Sequence, residues 1–289
     1  MLGLDVGGAH LKVAFARDGR ILAARQAPCR LWEGLDRLGP AFDAALAGLP
    51  PPGRVALTMT GELADLFVDR ATGVAALTEA AAARFPGVPL LVWAGREGFL
   101  PPEPAAKRSA AAVASANWLA TASLAAARAG NGLVVDIGST TTDILPLVAG
   151  VVRFAGYSDA ERLAKGELVY QGLTRTPAMA MADRAPLAGA WVPLMNEYFA
   201  TAADVWRLLG RLDEAHDQHP AADNGPKTAL ASARRLARMV GADLGPAGAE
   251  GWRGLAEWLG GCQLRRIEDA MRLVLPGAWS TRLVRRCGR

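Results

Sequence analysis

Two stretches of this chain gather carboxylates, glycines and hydroxyls at spacings that suit phosphate chemistry. The first reads Gly3-Leu4-Asp5-Val6-Gly7-Gly8-Ala9-His10-Leu11-Lys12. A strand-like run delivers the Asp5 carboxylate to its end, and the two-glycine turn after it exposes backbone N–H groups. Such a nest of N–H groups binds an anion, and an adjacent aspartate can hold Mg²⁺ through water. Lys12 adds a point charge at the rim, in a chain with four lysines against twenty-eight arginines. The second stretch reads Asp136-Ile137-Gly138-Ser139-Thr140-Thr141-Thr142-Asp143 and follows the apolar run 133–135. Its hydroxyls and turn N–H groups suit phosphate oxygens, while Asp136 and Asp143 suit a metal or a proton transfer. Each stretch alone also reads as an ordinary hairpin, since Gly-Gly makes turns and Thr favours strands. Together they point to a phosphate and Mg²⁺ cleft between two similar domains, with Asp5 and Asp136 as the metal carboxylates.

The elements that must position these groups recur. Residues 2–6, 11–16 and 20–26 read as three short strands with turns at Gly7-Gly8 and Asp18-Gly19. Residues 132–137, 141–148 and 151–155 repeat the pattern, so a meander whose first strand ends in Asp occurs twice. Self-similarity of this kind is the most informative feature of the sequence. Between the meanders, 33–49 reads as a helix, 54–60 as a strand, 78–85 as a helix and 89–93 as a short strand. Pro101-Pro102-Glu103-Pro104 reads as a break, followed by a long alanine-rich helix over 106–129 closed by Gly130. Beyond the second meander, helices are expected at 201–209, at 226–240 with proline in its first turn, and at 251–275. These readings give an α/β chain of two domains, 1–128 and 129–289.

Composition excludes several classes. The 289 residues are 51% hydrophobic and 21% charged, an ordinary globular balance. No run approaches the roughly 20 apolar residues of a membrane span, and the start lacks the basic n-region of a signal peptide. Cys29, Cys262 and Cys287 lie far apart and form neither a disulfide framework nor a zinc pattern. A cytoplasmic protein without nucleic-acid or membrane partners is expected. The formal charge of +4 resides in the last fourteen residues, 276–289, which hold four arginines and no acid. The remaining chain is balanced, with no basic stripe for a phosphate backbone.

The two stretches resemble the phosphate loops of the acetate kinase, sugar kinase, Hsp70 and actin superfamily. That resemblance implies two ribonuclease H-like domains, an actin-like ATPase or sugar kinase fold, around a central cleft. More narrowly, the chain resembles the hydantoinase A/oxoprolinase family, in the branch linked to tetrahydromethanopterin-dependent C1 transfer. Thr58-Met59-Thr60-Gly61-Glu62-Leu63, Ala116-Asn117-Trp118 and Lys165-Gly166-Glu167-Leu168 carry it. So do Gly172-Leu173-Thr174-Arg175-Thr176-Pro177, Asn196-Glu197-Tyr198-Phe199-Ala200-Thr201 and Arg235-Leu236-Ala237-Arg238-Met239. For archaeal members of the branch it implies methanofuran synthase activity. An aminomethylfuran methyl diphosphate is joined to the phenol oxygen of γ-glutamyltyramine, and diphosphate is released.

That chemistry needs charge stabilisation on the leaving diphosphate, which two phosphate loops and Mg²⁺ would supply. It also needs a carboxylate to take the phenol proton, for which Glu62 and Glu197 are candidates, alongside structural readings of both. The expected catalytic set is Asp5, Lys12, Glu62, Asp136 and Asp143. The phosphate set is Gly7, Gly8, Ala9, His10, Gly138, Ser139, Thr140 and Thr141. Asn117, Lys165, Arg175 and Glu197 are candidates for substrate contact. His216 and His219 lie in a polar loop with Asp217 and Asp223 that reads as solvated. Cys29 has no nearby base to make it a nucleophile.

Relatives are expected to continue into a strand and a glycine-rich turn for an adenosine. The sequence after Leu275 departs from this pattern, so a truncated or altered C-terminal end and weak adenine binding are expected. Whether ATP is used, and whether copies of the chain associate, is left open. The alternatives are an ATP-dependent hydantoinase or oxoprolinase-type hydrolase, a small-molecule kinase, and a non-catalytic nucleotide- or metabolite-binding protein.

Overall fold

A computed structural model describes residues 1–275. The altered terminus expected over 276–289 lies outside the described residues. The architecture is mixed α/β, and the chain divides into two compact units, 1–128 and 129–289.

The first unit opens on β1 (Leu2–Val6), β2 (His10–Arg17) and β3 (Arg20–Pro28). Leu2, Leu4 and Val6 alternate into the core while Gly3 and Asp5 take the other face, as the two-residue period of a strand requires. α1 (Leu38–Leu46), β4 (Val55–Met59), α2 (Arg70–Arg84), β5 (Leu90–Trp93) and β6 (Phe99–Leu100) follow. The sheet order is β3-β2-β1-β4-β5-β6. β1 runs antiparallel to β2 but parallel to β4, and β4 parallel to β5, so the return from β4 to β5 needs the crossover that α2 supplies. Val6, Leu57, Met59 and Val92 from the sheet join Phe42 of α1 and Val74 and Leu77 of α2 in one apolar core.

The helices of this unit depart from the sequence expectation. Residues 31–37 form two short 3₁₀ turns, so α1 begins only at Leu38. α2 starts eight residues before the expected Thr78, because Asp69 caps it by accepting from the Thr72 N–H at 2.7 Å. The proline cluster starts a helix rather than breaking one: Pro102 opens α3 (Pro102–Lys107), where its missing N–H costs nothing. The single alanine-rich helix is in fact α3, α4 (Ala110–Val113) and α5 (Asn117–Ala129). Alanine favours helix wherever it stands, which hides such interruptions from the sequence.

The second unit begins with β7 (Gly132–Ile137), β8 (Thr142–Val148) and β9 (Val151–Val152), the repeated meander. α6 (Asp159–Lys165) is entered through a Ser158–Glu161 capping box, and β10 (Leu168–Val169) pairs with β8. The order is β10-β8-β7, with β9 also on β8. A separate hairpin, β11 (Arg184–Leu187) and β12 (Ala190–Pro193), turns at Ala188-Gly189. α7 (Ala202–Leu208), α8 (Ala229–Arg238) and α9 (Arg253–Val274) complete the unit. Thr201 and Thr228 cap α7 and α8. α8 therefore starts after Thr228, not at Pro226. Trp206, Leu236, Trp252 and Leu259 form the apolar core of these helices. No helix among the described residues is long and apolar enough to cross a membrane.

A buried ionic network ties the 210–228 loop to α7 and α8. Arg235 is fully buried and pairs with Asp204 at 2.8 Å and Asp223 at 2.7 Å. Arg207 pairs with Glu214 and Asp217, and Lys227 with Asp217. The loop expected to be solvated is thus pinned through its carboxylates.

Candidate phosphate-binding hairpins

The turn between β1 and β2 is closed by the Gly7 N–H donating to the His10 carbonyl at 2.9 Å. The Gly8 carbonyl accepts from Leu31 N–H at 3.0 Å and the Ala9 carbonyl from Cys29 N–H at 2.8 Å. Both turn carbonyls are therefore held from behind. The Gly8 and Ala9 N–H groups donate to nothing among the described residues, the condition for a backbone anion nest.

Asp5 lies in register with Lys12 on one side and Thr58 on the other, so the three side chains share one face of the sheet. Lys12 Nζ reaches Asp5 Oδ2 at 3.3 Å. Asp5 Oδ1 and Thr58 Oγ1 are both buried without a hydrogen-bond partner. A buried acceptor left this way is costly unless something fills the position.

Behind the turn, Thr60 N–H donates to the Val6 carbonyl at 3.0 Å. A Cβ at Gly61 would stand 3.1 Å from that carbonyl oxygen and 2.7 Å from Leu31, so only glycine lets the strands approach this closely. Glu62 follows directly and is 1% exposed. Its Oε1 accepts from Ser115 Oγ at 2.7 Å. His10 is 4% exposed, so its ring lies in the interior and the turn presents Gly8 instead. Cys29 is buried and its thiol is pushed up to about 11 by burial.

The turn between β7 and β8 has the same closure, Gly138 N–H to the Thr141 carbonyl at 2.8 Å. The Gly138 carbonyl accepts from Leu173 N–H, and the Ser139 carbonyl from Thr174 and Arg175 N–H. The Ser139 and Thr140 N–H groups donate to nothing among the described residues. Gly172 fits flat beneath this turn. A Cβ there would lie 2.5 Å from backbone atoms of Ser139 and Thr140. Gln263 of α9 holds the Gly172 carbonyl at 2.8 Å and accepts from Trp206 Nε1 at 2.8 Å.

Asp136 faces Asp143 across the ladder. Asp143 accepts from the buried Arg162 at 2.6 Å. Burial pushes the Asp143 carboxyl above its ordinary value, with Arg162 opposing and the Asp136 charge adding. Asp136 itself is exposed. Arg175 Nη1 donates to Thr140 Oγ1 at 3.2 Å, placing a guanidinium on the turn, and burial lowers its pKa. Burial also raises the nearby Tyr198 phenol, against the pull of Arg175.

The other candidates lie on other elements. Lys165 is exposed in the last turn of α6, and Glu197 is exposed in the loop before α7. Asn117 begins α5 and accepts from Trp118 N–H at 2.8 Å, while Trp118 is core. No group of three His, Cys, Asp or Glu side chains among the described residues is set to hold a metal. Thr58, Ser115, Arg162 and Gly172 carry no individual signal in the sequence. Thr58 and Gly172 did stand inside stretches that carried the resemblance.

A family model described as hydantoinase/oxoprolinase matches residues 54–257. A (4-{4-[2-(gamma-L-glutamylamino)ethyl]phenoxymethyl}furan-2-yl)methanamine synthase from Methanocaldococcus jannaschii is 32% identical over 244 residues, 84% of this chain and 72% of that protein. A protein of the same name from Methanococcus vannielii is 32% identical over 114 residues, 39% of this chain and 51% of that protein. Among solved structures, a ROK family glucokinase from Streptomyces griseus is 15% identical with a TM-score of 0.37, over 96% of this chain and 91% of that one.

Proposed function

The chain belongs to the hydantoinase/oxoprolinase family, and from that premise we propose that it is a transferase of methanofuran-type cofactor synthesis. In this reading it couples an aminomethylfuranmethyl diphosphate to the phenol of a glutamyltyramine-type acceptor. The phenol oxygen bonds to the furfuryl carbon as the bond from that carbon to the diphosphate oxygen breaks. The electron pair leaves with the diphosphate, and the phenol proton passes to Glu62.

What supports the reading is the pair of turns with carbonyls bound from behind and N–H groups left to donate. Donors fixed in advance stabilise charge as it develops on a leaving diphosphate without reorganising. Lys12 and Arg175 add positive charge at the first and second turn.

The donors fit Mg²⁺, which is held by one or two carboxylates together with phosphate oxygens and water. The buried, unpartnered Asp5 Oδ1 is the observation in favour, and Asp5 is the residue that would hold the ion at the first hairpin. Bound there, it would neutralise diphosphate charge.

The test is incubation of the intact chain with the synthetic furan diphosphate, glutamyltyramine and Mg²⁺, with and without ATP, read by mass spectrometry. Coupled product without ATP is the expected result. ATP turnover without coupling would favour a hydrolase or kinase, and binding without turnover a non-catalytic protein; either overturns the proposal.

A further inference from the structure

Five non-glycine residues among those described have positive φ: Asp18, Ser115, Ala149, Ala188 and Asn224. Four of them are exposed and stand directly before a glycine, at Asp18-Gly19, Ala149-Gly150, Ala188-Gly189 and Asn224-Gly225. Tight turns at the surface explain those four. Ser115 is different. Its φ is +52°, it is 6% exposed, and alanine follows it.

The left-handed conformation is unfavourable for serine, and it persists only where surrounding structure enforces it. Here it lies between α4 and α5, where glycine would end α4 without strain. The Ala116 carbonyl beyond it is held by Trp93 Nε1 at 3.0 Å. What serine adds over glycine is a hydroxyl, and that hydroxyl donates to Glu62 Oε1 at 2.7 Å. Glu62 is itself fixed from two other directions. Gly61 packs onto the Val6–Gly7 backbone, and a Cβ at Gly73 would meet the Glu62 carbonyl at 2.7 Å.

We propose that Ser115 is a positioning residue for Glu62, its strained backbone aiming a hydroxyl that holds the carboxylate in the orientation that receives the phenol proton. This rests on Glu62 being the base of the reaction above. Ser115 keeps its own proton throughout; the proton that moves goes from phenol oxygen to Glu62.

Ser115→Gly, Ser115→Ala and Glu62→Gln separate the roles. Ser115→Gly removes the hydroxyl and relieves the strain, so its Tm should exceed that of Ser115→Ala. Ser115→Ala removes the hydroxyl and keeps the strain. Both should lose about tenfold in kcat, the effect of one hydrogen bond, with KM and Mg²⁺-pyrophosphate affinity unchanged. Glu62→Gln should lose at least about 100-fold. Full kcat in Ser115→Gly beside an inactive Glu62→Gln would overturn the positioning role alone. A kcat loss accompanied by an equal loss of pyrophosphate affinity would also overturn it, as the mark of a merely structural contact. Full activity in Glu62→Gln would overturn the assignment of the base, and this inference with it.

Discussion

The first hairpin stands inside a six-stranded sheet, with β2 and β4 on either side of β1. The second stands on β7, which pairs with β8 alone among the described residues. Leu2, Leu4 and Val6 of β1 are buried, whereas every residue of β7 is half-buried or exposed. Yet both turns close alike and have their carbonyls taken from behind. The backing comes from 29–31 in one case and from 173–175 in the other. A turn of this kind needs its carbonyls occupied, and sheet neighbours are only one way of arranging that.

The charges differ as well. Asp5 faces Lys12, while Asp136 faces a second carboxylate, Asp143, backed by buried Arg162. Like charges in register oppose the fold, so the second hairpin depends more on cations. Both units have an apolar core cluster, and the helices of the second also enclose the ion-paired Arg207, Arg235 and Asp204.

Breaking the enclosed network should have the largest effect. Asp204→Asn leaves Arg235 and Arg207 short of a buried counter-charge and should cost roughly 3–5 kcal/mol, read as a fall in Tm. A loss below about 1 kcal/mol would mean that solvent reaches the network.

Asp5→Asn and Asp136→Asn test whether differently backed turns do equal work. Each should lower turnover by about 10²–10³-fold, the scale of a lost charge-stabilising contact, with Tm little changed. Full turnover in Asp136→Asn would leave the first hairpin as the sole phosphate seat.

The backing itself is tested by glycine substitutions. Gly172→Ala drives a methyl into the Ser139–Thr140 backbone and should cost roughly 1–3 kcal/mol, along with pyrophosphate affinity. Gly8→Ala places its Cβ in open space and should stay within about 0.5 kcal/mol.

The smallest effect concerns Cys29 behind the first turn. Its folded pKa of about 11 lies above the ordinary thiol value of 9.0. Between those values the unfolded chain gives up a proton that the folded chain keeps, so its stabilising contribution is lost as pH rises through that window. At pH 8 iodoacetamide should leave Cys29 unmodified in the native protein, as peptide mapping by mass spectrometry would show. Rapid alkylation would mean that the segment behind the turn opens.

Local chemistry was legible in the sequence where it was local. The alternation of Leu2, Leu4 and Val6, the glycines after Asp5 and the Asp-ended repeat at Asp136 place both hairpins. What could not be read is what long-range contact decides. Thr58 lies beside Asp5 only because β4 returns parallel to β1, and Gly172 lies under Ser139 across more than thirty residues. Ser115 was hidden in an alanine-rich run whose helix propensity masks a kink. The 216–225 loop reads as solvated because the arginine partners of Asp217 and Asp223 stand outside it, on α7 and α8.

The most direct measurement is calorimetric titration of the intact chain with pyrophosphate at saturating Mg²⁺, repeated on Asp5→Asn and Asp136→Asn. A hairpin that seats phosphate should give saturable binding, weakened at least about tenfold by the substitution in that hairpin, the loss of a charge-assisted contact. Absence of binding to the unsubstituted chain, or binding unchanged in both variants, would contradict it.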